Sequence, residues 1–304
     1  MKYSTLILSL FLSLFCNVII AQNDYISYFN YCNEGDEQAY LKNYSLALKK
    51  YDMAFNSVDF IHTNHLHNYA LTCIAAGDTS KAIDYVRKAL INGLDTLILY
   101  QYMYTHLKEN KRIFKLKDSA YYFHNLYLKR LDLSYSREVD SLQYIDQCII
   151  RQNCEDEYRF AFHKDRIPKD RFELDSFVFL HLINLVNEKG FPSEKRVGTK
   201  SAGKVWVIFH HNVRLPQNEK YIEMVESALK KGEFEPHHFA WMYDQGKMYK
   251  NEKPYFYYGV ADISSMTEAE MNEIDDRRKA YGIKPLRSTK IEITDGSLMQ
   301  RSLW

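Results

Sequence analysis

The sequence predicts a mainly α protein: an array of helical hairpins followed by a mostly helical unit with a minor β element. Three observations carry this. Gly and Pro are scarce, 11 and 6 in 304 residues, which favours long helices with short connections. Apolar residues recur at three- and four-residue spacing through most of the chain. A block of small residues near the N-terminus returns after 35 positions, a period that belongs to stacked helical units.

The first residues set the compartment. Lys2 supplies a positive start, Leu6 to Phe15 an apolar run, and Ile19, Ile20 and Ala21 an exit before Gln22, so residues 1–21 read as a secretory signal peptide cleaved after Ala21. A membrane anchor fits less well, because the run is shorter than the roughly 20 residues a spanning helix needs and Asn17 interrupts it. Lipid attachment at Cys16 is disfavoured by the bulk of Phe15 before it. No later segment is apolar enough to span a bilayer, so the expected protein is exported, to the periplasm or beyond, with no integral span after cleavage.

Losing residues 1–21 removes one Lys from 40 basic residues and none of the 39 acidic ones, leaving 39 against 39. A neutral chain without a basic block has no electrostatic footprint for nucleic acid or an anionic membrane. Tyr is abundant at 25, and most of these phenols are expected in half-buried helix seams. Cys32, Cys73, Cys148 and Cys154 remain. On one helix, Cys148 and Cys154 would lie roughly 9 Å apart along the axis, beyond the about 7 Å reach of a disulfide. Cys32 with Cys73 is the better pair, set against two buried free thiols.

Within residues 22–132, Gly35, Ala47, Tyr51 and Ala54 are matched by Ala70, Ala82, Val86 and Ala89 when the two alanine pairs are superposed. The spacing of seven within each pair puts two small side chains on one helix face, where a neighbour can approach closely. The pattern, over about 28–95, resembles the tetratricopeptide repeat, with Gly77 as its turn glycine and Tyr51 as its aromatic. Tyr31, Lys42 and Val86 depart from it. Segments 97–107 and 113–131 read as two further helices closing the stack. The resemblance implies a protein or peptide partner; the alternative is that the repeat only scaffolds the C-terminal domain.

Residues 133–304 read as a second domain. Helices are expected over 139–154, 174–189, 201–211, 217–231, 235–248 and 267–281; the apolar run of 201–211 also fits a buried strand. Tyr255 to Tyr258 with Val260 are β-formers, so 254–263 is expected as a strand, paired with 289–294. The blocks between Asp140 and Leu286, including HHN, AWMYDQ, YYGV and DDRRKAYGIKPL, resemble a bacterial domain of unknown function found at the end of exported proteins. That family's pattern has Gln-His, Asp-Arg and Tyr-Gly-Thr-Gln where this chain has His210-His211, Asp244-Gln245 and Tyr257-Tyr258-Gly259-Val260, so three polar positions are altered.

Among these blocks His211 is the most versatile group, able to act as acid, base or ligand near neutral pH. Asp146 and Asp244 are candidate carboxylate partners and Tyr257 a fourth site residue. No HExxH or paired CxxC spacing points to a metal, no serine or cysteine has a nucleophile context, and no glycine loop cradles phosphate, so no cofactor is expected. Asp275 to Arg278 reads as a solvated face with Arg277 turned inward. Two readings remain: an exported interaction or scaffold protein, or an envelope enzyme of hydrolytic type using His211 with Asp244 or Asp146.

Overall fold

The structure is a computed structural model that describes residues 24–101, 107, 110–148, 171–212, 219–254, 256–259 and 266–286. The chain is mainly helical, with fourteen helices and no strand among the described residues. The signal segment, Cys154 and the second expected strand lie outside them.

Helices α1 (Tyr25–Tyr40) and α2 (Tyr44–Phe55) form one hairpin, α3 (Thr63–Ala75) and α4 (Thr79–Asn92) a second, and α2 packs on α3. Local chemistry sets the ends: Asp24 accepts from the Ser27 N–H at 2.9 Å, Asp78 from the Lys81 N–H at 2.9 Å, and Gly93 leaves α4 in the left-handed region. Ala47, Ala54, Ala70, Ala82 and Ala89 are fully buried, as their spacing predicts for helix contacts. Gly35 serves the same end, since a Cβ there would sit 3.1 Å from the Tyr51 ring. Cys32 and Cys73 are buried free thiols, not a disulfide, and burial pushes the Cys73 thiol up to about 12.

The segments expected as helices over 97–107 and 113–131 are largely helical where they are described. Helices α5 (Thr96–Gln101), α6 (Lys111–Asp118) and α7 (Ala120–Arg130) come next, with α6 and α7 both against α4. Where the sequence predicts one helix over 113–131, Ser119 divides it into two. Ile83, Val86 and Leu90 join Ile113, Leu116 and Phe123 in a closed apolar cluster here.

The rest comprises α8 (Leu133–Cys148), α9 (Arg171–Lys189), α10 (Glu194–Val197), α11 (Thr199–His211), α12 (Glu219–Lys230), α13 (Pro236–Tyr249) and α14 (Glu268–Lys279). The run at 201–211 is therefore helix, with Val205, Ile208 and Phe209 buried. Pro254 and residues 256–259 are irregular rather than extended, and the remainder of that expected strand lies outside the described residues.

One apolar cluster runs across the junction at Asp132: Tyr28, Phe29, Cys32 and Tyr69 pack in the same body as Tyr135, Phe179, Phe209 and Ile283. Two glycines allow the close approach. At Gly232 (φ 69°) a Cβ would clash with the Tyr25 ring, and at Gly282 (φ 68°) it would lie 2.7 Å from Phe29 Cβ. Asn30 donates to the Lys279 carbonyl at 2.9 Å and Asn33 to the Gly282 carbonyl at 3.0 Å. Asn30 and Asn33 of α1 thus hold the backbone at and just beyond the end of α14.

Candidate functional site

His211 is the last residue of α11, and Asp146 lies near the end of α8, which packs against α11. Their sequence separation of 65 residues is closed by that packing: His211 Nδ1 lies 3.0 Å from Asp146 Oδ1 and 2.9 Å from Oδ2. Asp146 is fully buried in its side chain, while His211 keeps 18 % exposure. Gln147 Nε2 donates to Asp146 Oδ2 at 2.8 Å and so holds the carboxylate in place. Asp175, in the second turn of α9, completes a group whose candidate ligand atoms all lie within 4.8 Å of one another.

The structure brings together His211 and Asp146 of the four expected site residues. Asp244, 1 % exposed, accepts from the backbone N–H of Tyr258 at 2.8 Å. Tyr257 packs on Tyr243 and Tyr258, and the Arg277 guanidinium lies 4.4 Å over its ring. These two serve a clasp around the turn at Tyr258. Arg278 completes it, donating to the Tyr258 carbonyl at 2.6 Å and to the Lys284 carbonyl, while Asp275 accepts from the Leu286 N–H at 2.6 Å. Hence the buried arginine is Arg278, 4 % exposed, and not Arg277, which the sequence pattern turns inward. Burial lowers the Arg278 pKa to about 10, against the pull of Asp275 and Asp244.

The remaining histidines of this region build an aromatic layer. Trp206 stacks on His238 with centroids 4.6 Å apart and meets His210 edge-on at 5.1 Å. Burial lowers His237 to about 4 and His238 to about 3, so both are neutral at physiological pH.

A second polar cluster sits where the hairpins meet the later helices. His62 precedes α3; its Nδ1 lies 2.9 Å from Glu194 Oε2 and 3.4 Å from Glu235 Oε1. Glu194 also accepts from the Thr63 N–H at 2.9 Å, from the Thr63 hydroxyl, and from the Thr199 hydroxyl at 3.3 Å. A carboxylate from α10 therefore caps α3, whose own His62 makes no side-chain cap. Burial alone would lower the His62 pKa, but attraction to Glu235 and the bond to Glu194 overcome it and raise it to about 9. Burial likewise opposes the charge on Glu194, yet His62 and Thr63 hold its pKa below the usual carboxylate value. This is a cation between two carboxylates, a clasp rather than a site of exchange.

Two signals in the sequence point toward these residues. Asp175 shares a helical face with Val178, Phe179 and Leu182, all buried, which is an odd place for an acid. His62, His65 and His67 crowd six residues that are otherwise uncharged.

The chain matches no protein family, no curated protein and no solved structure. Among the described residues no helix is long and apolar enough to cross a membrane.

Proposed function

We propose that the chain is an exported enzyme of hydrolytic type, working at His211 with Asp146. The observation that carries this is the placement of His211 Nδ1 against both oxygens of a fully buried carboxylate. A carboxylate on Nδ1 fixes the ring and leaves Nε2 to take a proton from water, the division of labour of a general base and its orienting acid. Partial exposure of His211 supports access from solvent. The tetratricopeptide-like hairpins act as an internal scaffold in this reading. Asn30 and Asn33 on α1 are engaged with residues 279 and 282 of the same chain, which supports this role.

A panel of chromogenic esters, phosphoesters and peptides tests the proposal. Turnover of at least one class is expected, with kcat/KM lowered at least about tenfold by His211→Ala. Hydrolysis of none, or a variant as active as the parent, refutes it.

Partner binding is the second reading, and one observation favours it. Tyr121, Tyr122 and Phe114 on α6 and α7 are 79, 61 and 43 % exposed, on terminal helices that would otherwise present a polar outer face. Capture of an envelope protein by the full chain is expected in that case, and its loss in a Tyr121→Ser, Tyr122→Ser double variant. Capture indifferent to both changes would discard this surface.

A further inference from the structure

We infer that Asp146, Asp175 and His211 form a binding site for one divalent transition-metal ion of the Zn²⁺ class. The three side chains come from three helices, α8, α9 and α11, which pack on one another, so the site is set by rigid elements rather than by a loop. Their candidate ligand atoms lie within 4.8 Å of one another. Two ligands at about 2.1 Å from an ion are separated by roughly 3.0 Å in octahedral and about 3.4 Å in tetrahedral geometry. The 2.9 and 3.0 Å between His211 Nδ1 and the Asp146 oxygens match the shorter edge.

Electrostatics points the same way. Two carboxylates this close repel, and a buried one is costly unless a cation offsets it. Gln147 supplies the outer hydrogen bond that orients a ligating carboxylate. One imidazole with two carboxylates is a borderline-to-hard donor set, suited to Zn²⁺ or Mn²⁺ and unlike the thiolate sets of structural zinc. Three protein ligands with the histidine side still partly exposed leave a position for water, as catalytic rather than structural sites do. The other three-ligand group, His62 with Glu194 and Glu235, is a weaker candidate, because Glu194 is already engaged by His62 Nδ1, the Thr63 N–H and the Thr199 hydroxyl as the cap of α3.

This inference rests on the hydrolytic reading for what the ion would do, but not for its binding: with His211 Nδ1 and Asp146 as ligands, His211 would no longer serve as the base and water on the ion would be the nucleophile. The test uses the untagged full chain, stripped with EDTA and titrated with Zn²⁺ in a calorimeter. One ion per chain is expected, with affinity lowered at least about tenfold by His211→Gln, by Asp146→Asn and by Asp175→Asn. His62→Gln should leave it unchanged. Far-UV circular dichroism checks that each variant is folded. If a variant is not, Co²⁺ added to the parent chain reports independently: visible d–d absorption that Zn²⁺ displaces is expected.

Absence of stoichiometric Zn²⁺ uptake overturns the inference, as does uptake that survives all three changes or is lost with His62→Gln. Zn²⁺ bound at these residues without hydrolysis would leave the site standing and remove the enzymatic reading. Hydrolysis dependent on His211 but indifferent to EDTA would do the reverse.

Discussion

Glu194→Ala is expected to destabilise the fold by about 3–5 kcal/mol, the range for removing one partner from a buried ion pair. The loss has several sources. His62 becomes a buried cation with only the more distant Glu235 for a partner, and the Thr63 N–H and hydroxyl lose their acceptor. For a chain this size the melting temperature should fall by roughly 5–8 °C. The pH dependence adds a sharper check. His62 titrates near 9 when folded against an ordinary 6.5, so its contribution is complete below 6.5 and is lost as pH rises through about 9. Glu194, held below its ordinary 4.5, contributes above that value and loses its contribution as pH falls. Glu235 runs the other way: burial raises its pKa, so its share is lost as pH rises past 4.5.

The clasp is therefore strongest between about pH 4.5 and 6.5 and weakens progressively from there to about 9. Charged or titratable groups facing it are Glu194, Glu235, His65 and Tyr28, with Arg130 acting on Glu194 from α7. Urea midpoints measured across this range should fall on the alkaline side in the parent chain. With Glu194→Gln that fall should move to lower pH, since burial would then dominate the His62 ring. A parent midpoint that stays flat from about pH 6.5 to about 9.5 would show that His62 carries no charge in the fold.

Arg278→Met should cost about 2–4 kcal/mol, or roughly 3–6 °C in melting temperature. Methionine keeps the apolar stem but leaves the Tyr258 and Lys284 carbonyls without their donor. It also removes the positive charge between Asp244 and Asp275. Arg278→Lys should recover only part of the loss, because an ammonium cannot reproduce the planar fork that reaches both carbonyls. Arg277→Met is the control: Arg277 lies over the Tyr257 ring, and its replacement should cost under about 1 kcal/mol. Equal losses at 277 and 278 would place the clasp elsewhere.

Both clasps lie where a linear pattern is least informative. Between Gly190 and Leu286 polar residues are spaced as though for catalysis, yet Asp244, Tyr257, Asp275 and Arg278 are engaged in holding turns at 258 and 284–286. A buried side chain that satisfies a backbone group and one that meets a substrate have the same residue types. They differ only in what lies opposite. His211 and Asp146 stand out as candidates by residue type, but their pairing depends on helix packing across 65 residues. Asp175 is marked in the sequence only as an acid on an apolar helix face, and it joins them through the same packing.

By itself the sequence determined the mainly helical class, most helix positions and the small-residue contacts of the two hairpins. Those arise from periodicity and side-chain volume, which act over one or two turns. The tertiary structure alone decided that one core runs through residues on both sides of Asp132, that Glu194 caps a helix begun 131 residues earlier, and that His211 meets Asp146. Such pairings come from which helix faces bury together, and a linear pattern carries no record of the face that lies opposite.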